Sequence, residues 1–418
     1  MPMNRNRWRL RVTSTRLLLL LLTVMTSLSV TEGRTDVTTT DGKLVGFKKY
    51  VDGSHVVDTF YGIPYARPPV GDLRFKPPVP ATPWKGERSA KYLPNSCLQV
   101  EDAVGGGRGW GGGWGGGLGG LGGGSGGNGT LWLGRPHREE LLLSPPTRVR
   151  EDCLYLNVWV PRKNKNKNTN DSLSTLVWLH GGRFVSGSGS SPLTDGAYLA
   201  AKHDVIIVSV NYRLGVAGFF YTGRRRFDSK GNLGLLDQRL ALRWVYNNVG
   251  RFRGGSRRDV TLFGTDSGAA SAGFHLLSPK SWPYFSRAIL QSGSPLSPWA
   301  LASADVMLQN SLNLAALAGC NQSDGEALMT CMRGLSAGRL VEAEREFAGS
   351  ESGVDGGRRF FTPVVDGDVV GDLPEKLLRA GKAKPAAVLI GASVSGYSLS
   401  THTHARTRAH ARTHAHTQ

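Results

Sequence analysis

Short runs of apolar residues, each bounded by turn-forming residues, recur along the chain between residues 176 and 390. Mainly apolar runs of this length are typical of strands buried on both faces of a sheet. Five runs fit this description: Leu176–Leu179, Val205–Val210, Val260–Phe263, Ala288–Gln291 and Ala387–Ile390. The pattern therefore predicts five buried strands.

Between two of these runs, Gly234–Asn248 has the periodicity of an amphipathic helix. The predicted apolar side comprises Leu235, Leu236, Leu240, Trp244 and Val245, and the polar residues off that side are Asp237, Arg239 and Arg243. Alternating strands and helices of these lengths predict an α/β fold with a central, mostly parallel sheet and helices on both faces. In such a sheet, functional residues are expected at the carboxyl ends of the strands.

The composition excludes wholesale disorder, because 39% of the 418 residues are hydrophobic and 20% are charged. Two segments are nevertheless set apart from the predicted domain, residues 34–400. Residues 1–33 carry five arginines, then the apolar run Leu17–Met25, then small and polar residues, which is the order of a cleaved secretory signal peptide. A membrane anchor is the alternative, although the run is short for one. Residues 401–418 consist of Thr, His, Ala and Arg before the last residue, and are interpreted as low-complexity, translated simple repeat, with a His-rich metal-binding tail as the alternative.

Glycine is concentrated in residues 105–129, which hold 18 of the 56 glycines. A segment with so few side chains cannot bury enough apolar surface to offset the entropy lost on ordering. It is therefore predicted to be a flexible insertion in a surface loop of the domain.

The net charge of +19 is weaker evidence for nucleic-acid binding than its size suggests. Residues 1–33 and 401–418 contribute +7 of it, which leaves +12 for the domain. The basic runs of the domain are interpreted as solvated surface, and a sulfated polysaccharide or an anionic membrane surface is the alternative. No nucleic-acid partner is expected. The runs are Arg224–Arg226, the group Arg251, Arg253, Arg257 and Arg258, and Arg358–Arg359.

The cysteines and glycosylation sequons are consistent with export. In an oxidising compartment the four cysteines are expected to pair, and three connectivities are possible. The short interval between Cys320 and Cys331 favours a local bridge, which leaves Cys97 and Cys153 to close the loop that holds the glycine-rich segment. Sequons begin at Asn128, Asn170 and Asn321.

Two predicted strands end in loops that suggest chemistry. The first strand is followed by His180-Gly181-Gly182-Arg183-Phe184, and the third by Gly264-Thr265-Asp266-Ser267-Gly268. A strand, a turn flanked by glycines and a helix that opens with small residues make up a nucleophile elbow, which raises a side chain above the sheet. The His-Gly-Gly loop is where such a fold supplies backbone N–H groups to an oxyanion.

The chain resembles the type B carboxylesterases, and among them most closely the cholinesterases. The stretches that carry the resemblance are Phe60–Phe75, Glu151–Pro161, Asn211–Gly215, Gly231–Val245 and Arg287–Ala300. The resemblance implies the α/β-hydrolase fold, a Ser–Glu–His ester hydrolase, no cofactor and no metal. It also implies the disulfides Cys97–Cys153 and Cys320–Cys331.

Site by site, however, the chain departs from that family. The family reads F-G-E-S-A-G at the elbow, so the nucleophile position here is Asp266, and Ser267 lies one residue later, where its side chain is expected to start a helix. The third glycine of the oxyanion loop is Arg183, which is expected to cost the loop a donor and to fill the site. Asp266 as a carboxylate nucleophile is the alternative to lost function.

The other family positions are also altered. The acid position falls on Ser395 or its neighbour Gly396, and the catalytic histidine would come later, where only the tail follows. Asp102 matches an acidic residue at the rim of the cholinesterase gorge, with an ordinary loop acid as the alternative. Trp132 is the nearest candidate for the tryptophan that stacks on choline, with a loop aromatic as the alternative.

The sequence thus predicts a secreted, cholinesterase-like domain without esterase activity, incomplete at its C-terminus, with a binding or adhesion role. Its partner is expected to be an extracellular protein or a sulfated polysaccharide, and a homo-oligomer remains open. The alternatives are an ester hydrolase represented by an incomplete sequence and a truncated product that does not fold stably.

Overall fold

The computed structural model describes residues 33–100, 148–162, 172–191, 194–223, 228–349 and 361–393. Within these ranges the chain forms a ten-stranded sheet and a two-stranded sheet. The strands are β1 (Arg34–Thr38), β2 (Lys43–Val51), β3 (His55–Pro64), β4 (Glu87–Ser89), β5 (Ser96–Cys97), β6 (Val149–Arg150), β7 (Tyr155–Pro161), β8 (Leu173–Leu179), β9 (Ile206–Val210), β10 (Gly255–Thr265), β11 (Arg287–Gln291) and β12 (Ala387–Gly391).

The large sheet is mixed and mostly parallel, in the order β1-β2-β3-β7-β9-β8-β10-β11-β12, with β4 beside β2. From β9 to β12 every pair is parallel, whereas β1, β2, β3, β7 and β9 are joined by antiparallel pairs. In the register of the parallel part, Leu179 at the end of β8 lies opposite Gly264 of β10. The loops that follow these two strands therefore emerge side by side.

Helices cover both faces of this sheet, as predicted. In the described ranges they are α1 (Ala197–His203), α2 (Gly215–Phe219), α3 (Leu233–Asn248), α4 (Ser267–Leu276), α5 (Ala304–Leu317), α6 (Gly325–Gly334), α7 (Ala337–Gly349) and α8 (Pro374–Arg379). Val158 and Trp159 are neighbours in β7 and point to opposite faces. Val158 packs in a core cluster with α3 and α4, and Trp159 in another with α1. No helix in the described ranges is long and apolar enough to cross a membrane.

All five strands predicted from the apolar runs are present, but their burial differs from the prediction. Of these five strands, only β9 is buried at every residue, because α1 covers one face and α3 and α4 cover the other. The prediction of burial on both faces is wrong for Ala387–Ile390, because β12 is exposed along its whole length. This strand forms the edge of the sheet, and no described strand pairs with its outer side.

The predicted helix is also present, as α3, but the side predicted to be buried is not fully the side that is buried. Asp237 is fully buried, because it forms a bidentate ion pair with Arg213 at 2.7 and 2.8 Å. Leu236 and Leu240 of the predicted apolar stripe are only partly buried and lie near Arg239 on the outer side. The buried ion pair thus rotates the buried side of the helix relative to the apolar stripe.

Both predicted disulfides, Cys97–Cys153 and Cys320–Cys331, are confirmed. Asn321 of the third sequon is exposed beside the second of these bridges. Other predicted features lie outside the described residues: the signal peptide up to residue 32, the glycine-rich segment 105–129, the tail 401–418, and the sequons at Asn128 and Asn170.

Candidate functional site

Asp266 occupies the apex of the turn between β10 and α4. Its backbone has φ 50° and ψ −121°, a conformation that side-chain-bearing residues seldom adopt and that persists only where the surroundings enforce it. Here the N–H of Asp266 donates to the carbonyl of Gln291 at 3.0 Å, and its carbonyl accepts from the N–H of Ala270 at 3.0 Å. The backbone of a nucleophile elbow is therefore formed, with a carboxylate at its apex.

The glycine after the apex is required by the packing of this turn. A Cβ on Gly268 would lie 2.0 Å from the carbonyl oxygen of Leu179, the last residue of β8. Only a residue without a side chain lets α4 begin this close to the neighbouring strand. This is the physical reason for the second glycine of the motif.

The oxyanion loop points its N–H groups at the Asp266 carboxylate. The N–H of Gly182 and the N–H of Arg183 each donate to Oδ2 of Asp266, both at 2.9 Å. The expected loss of a donor at Arg183 is therefore wrong, since the donor is a backbone group that does not depend on the side chain. The two N–H groups still converge on one point, and a carboxylate oxygen occupies that point.

Arg183 affects the loop through its conformation instead of through a missing donor. Its φ is 52°, in the left-handed region that favours glycine, and its side chain is exposed. The preceding Gly182 has φ 116°, and a Cβ there would lie 2.2 Å from the carbonyl oxygen of Ser186. The loop therefore needs a glycine at position 182 and tolerates an arginine at 183 at the cost of backbone strain.

The base of this loop is fixed by a residue that sequence reasoning did not single out. The hydroxyl of Tyr212 donates to the carbonyl of His180 at 2.6 Å, and the two rings stack at 4.3 Å. Burial lowers the pKa of His180 to about 4, so the imidazole is neutral at pH 7. Burial raises the pKa of Tyr212, so its hydroxyl keeps its proton. Tyr212 lies in the stretch Asn211–Gly215, whose resemblance to the family was the available signal.

Ser267 is placed as the sequence predicted, at the first residue of α4 and away from the apex. Its side chain is fully buried, and its Oγ makes no hydrogen bond of ordinary geometry within the described residues. A serine nucleophile needs a base within hydrogen-bond reach and access to substrate. Among the described residues, Ser267 has no such base, and its side chain is buried.

Comparison with known sequences shows the family to which the chain belongs. The family model described as "Carboxylesterase family" matches residues 33–417. The chain belongs to the carboxylesterase family. Among curated relatives, the chain is 38% identical to the cholinesterase of Mus musculus over 387 residues, which are 92% of the chain and 57% of that relative.

Two acetylcholinesterases are similar to the same degree. Identity is 38% with that of Electrophorus electricus, over 88% of the chain and 52% of the relative. It is 39% with that of Danio rerio, over 82% of the chain and 48% of the relative. The chain thus spans about half the length of the carboxylesterase-family relatives that it matches.

None of the four histidines in the described ranges serves the elbow as a base. His55 and His203 are outside the site, and neither His180 nor His275 forms a hydrogen bond with Asp266 or Ser267. His275 is instead held at 2.9 Å from Ser281 Oγ and 3.0 Å from Gln238 Oε1. Burial lowers its pKa to about 3. It is a neutral, hydrogen-bonded residue of the core.

The remaining site predictions fall on residues that the structure does not describe. They are the acid position Ser395, the gorge-rim candidate Asp102 and the choline-site candidate Trp132. Strand β12, after which Ser395 comes, is separated from β10 by β11 alone. Within the described ranges, no three His, Cys, Asp or Glu side chains come together as metal ligands would.

Chemically, the arrangement brings a carboxylate and an oxyanion hole into direct contact. A substrate carbonyl oxygen gains from these donors only if they are free when its charge develops. In this carboxylesterase-family site, both described donors already serve the charge of Asp266.

Proposed function

We propose that this chain is a carboxylesterase-family protein that does not hydrolyse esters and acts as an exported binding module. The observation that carries the proposal is the pair of 2.9 Å hydrogen bonds from Gly182 and Arg183 to Oδ2 of Asp266. A substrate oxygen would have to displace the side chain of Asp266 from the donors that it needs. Each oxyanion donor contributes about 2.7–4 kcal/mol to catalysis, so the loss of both is severe.

The same contact weighs against Asp266 as a nucleophile. An attacking oxygen of Asp266 must face the carbonyl carbon while the substrate oxygen faces the donors, so the two oxygens need separate places. Here Oδ2 occupies the donor position itself. In the sequence, the family's acid position also falls on Ser395 or its neighbour Gly396, neither of which is a carboxylic acid.

Export is part of the proposal. It is supported by two disulfides, which persist in oxidising compartments, and by the signal-peptide pattern of residues 1–33. Exposed Asn321 in its sequon fits a glycosylated surface. The partner is then an extracellular protein or a polyanion such as a sulfated polysaccharide, with self-association as a further form of binding.

A second candidate function is ester hydrolysis by a longer form of the protein. It is favoured by the intact elbow backbone at Asp266 and by the convergence of the two N–H donors. It is also compatible with the fact that the chain spans about half of its curated relatives. In that form Asp266 would have to leave the donors before a substrate could use them.

The test is active-site titration of the secreted protein with an organophosphate, together with a thiocholine-ester turnover assay. An active cholinesterase provides the positive control, and intact-mass measurement locates any adduct. We expect neither label nor turnover. A label that is lost in Ser267→Ala would identify that serine as the nucleophile, and one that is lost in Asp266→Asn would identify the carboxylate. Either result would overturn the proposal of an inactive site.

A further inference from the structure

An open groove of about 450 Å³ lies on the outer side of α3, away from the elbow. Its walls combine three cationic side chains with apolar and aromatic ones. The lining residues are Arg239, Arg243, Lys280, Leu236, Leu240 and Tyr284, together with the pair Pro77 and Pro78. The groove involves Leu236 and Leu240, the two leucines that the buried pair Asp237–Arg213 turns outward.

The positive charge of this groove is only partly compensated. Asp368 accepts from Arg239 at 3.2 Å and from Lys280 at 2.8 Å, so one carboxylate serves two cations. Arg243 is exposed and pairs with no other residue in the described ranges. Three cations and one acid leave a net charge of +2 at the groove.

The cationic surface continues beyond the groove along the same helix. Arg239, Arg243 and Tyr246 are spaced i, i+4 and i+7 and so lie on one face of α3, about 6 Å apart for each helical turn. Tyr246 contacts Tyr284 edge to face at 5.9 Å, and Arg257 lies over the Tyr246 ring at 5.6 Å. We call the surface formed by Arg239, Arg243, Arg257 and Lys280, with Tyr246 and Tyr284 between them, the cationic band.

The basic run noted in the sequence contributes less than its composition suggests. Arg253 donates to Asp58 at 2.6 Å, and Asp58 also pairs with Arg162. Arg251 is directed to the carbonyl of Thr38. Of that run, Arg257 is the residue placed in the cationic band. The band therefore results from the fold, since its members come from α3, β10 and the 3-10 helix Pro279–Tyr284.

We propose that the cationic band binds a sulfated polysaccharide. The exposed guanidinium group of Arg243 is suited to bidentate recognition of sulfate oxygens, as such groups are to phosphate and carboxylate. The tyrosine rings and leucines offer an apolar surface for the faces of sugar rings, and an open groove admits a long chain. The proposal deepens the binding role put forward above and rests on export, because an exported protein meets sulfated polysaccharides.

The test measures binding of a heparin dodecasaccharide to the full secreted chain at several NaCl concentrations. The double variant Arg243→Gln/Lys280→Gln removes two charges from the band, and Lys85→Gln/Arg150→Gln removes two from exposed positions outside it. Since an exposed charge contact contributes modestly, we expect the first variant to bind roughly tenfold more weakly and the second to bind within about twofold of the parent. Binding of the first variant should also depend less steeply on salt.

Arg243→Lys provides a finer control, because it keeps the charge and loses the planar fork. Its affinity for heparin should lie between that of the parent and that of Arg243→Gln. Thermal unfolding midpoints that match the parent would show that each variant is folded. The proposal is overturned if the two double variants weaken binding equally, or if hyaluronan, which carries carboxylates without sulfates, or single-stranded DNA of equal length binds as tightly as heparin. If heparin does not bind and the protein also shows no esterase activity, the proposal of an inactive site still holds. Only the proposal of a sulfated polysaccharide as ligand fails in that case.

Discussion

Asp266 holds the two loops of the candidate site together, and this makes its carboxylate a structural group. Replacement by Ala would leave the N–H groups of Gly182 and Arg183 without their acceptor, at a cost of about 2 kcal/mol in the free energy of unfolding. Asp266→Asn keeps an oxygen acceptor of the same shape and should cost about half as much. Urea unfolding of the three proteins measures the difference. An alanine variant as stable as the parent would contradict the structural role.

Arg183 is strained by its backbone, and relief of that strain should be measurable. With φ at 52°, the arginine adopts a conformation that glycine adopts without penalty. Arg183→Gly should raise the free energy of unfolding by about 0.5–1 kcal/mol, after the larger chain entropy of glycine in the unfolded state is subtracted. Arg183→Ala retains the Cβ and should show no such gain. Equal stabilisation by both variants would assign the effect to the arginine side chain and not to φ.

For individual residues, the sequence could predict which positions form the site, but not where their hydrogen-bonding groups point. The spacing of glycines around Asp266 and the departure at Arg183 were both visible in the chain. That Oδ2 of Asp266 accepts from two N–H groups 83 and 84 residues away in sequence was not, because it depends on the distance between two loops. Expecting a lost donor at Arg183 was wrong for the same reason: side-chain identity does not determine where a backbone N–H points.

Among the elements, the contact between α7 and α2 should make stability depend on pH. Glu344 of α7 is buried and accepts from the N–H of Val216 at 3.0 Å, close against Gly215. Burial raises the pKa of Glu344 from 4.5 to about 8, so the folded state keeps a proton that the unfolded state releases above pH 4.5. The stability that Glu344 contributes at low pH is therefore lost as pH rises towards 8.

The interval from pH 6.5 to 8 isolates this effect. The lowered pKa values of His180 and His275 reduce stability only as pH falls below 6.5. Between pH 6.5 and 8 the free energy of unfolding should fall by about 1–2 kcal/mol, and Glu344→Gln should abolish the fall. Glu346→Gln, on an exposed residue of the same helix, should leave it unchanged. A decline that persists in Glu344→Gln would show that another group titrates.

The positions of helices and strands were predicted better than the burial of their residues. Periodicity located α3 to within a residue at its start, but it could not show that Arg213 would draw Asp237 into the core. Apolar runs likewise located five strands, but the composition of a run does not show whether the strand is buried in the folded chain. Burial of a strand depends on its neighbours in the sheet, and β12 lacks one on its outer side within the described residues.

For the whole molecule, one consequential surface feature of the described residues is the exposed edge strand β12. Val388, Leu389 and Ile390 are 41%, 64% and 69% exposed, although their composition is that of a core strand. An apolar edge with unpaired N–H and C=O groups is a template for strand pairing with another chain. No strand in the described part of the chain pairs with the outer side of this edge.

We therefore expect the 418-residue protein to self-associate through β12. Light scattering coupled to size exclusion, over a range of concentrations, should show a monomer fraction that falls as concentration rises. Leu389→Lys/Ile390→Lys places charge on the edge and should restore the monomer, because pairing would bury unpaired ammonium groups. Tyr92→Lys/Leu296→Lys replaces two other exposed hydrophobic residues, 79% and 53% exposed, and should leave association unchanged. If the second variant dissolves the oligomer as well as the first, general surface hydrophobicity and not the β12 edge drives association.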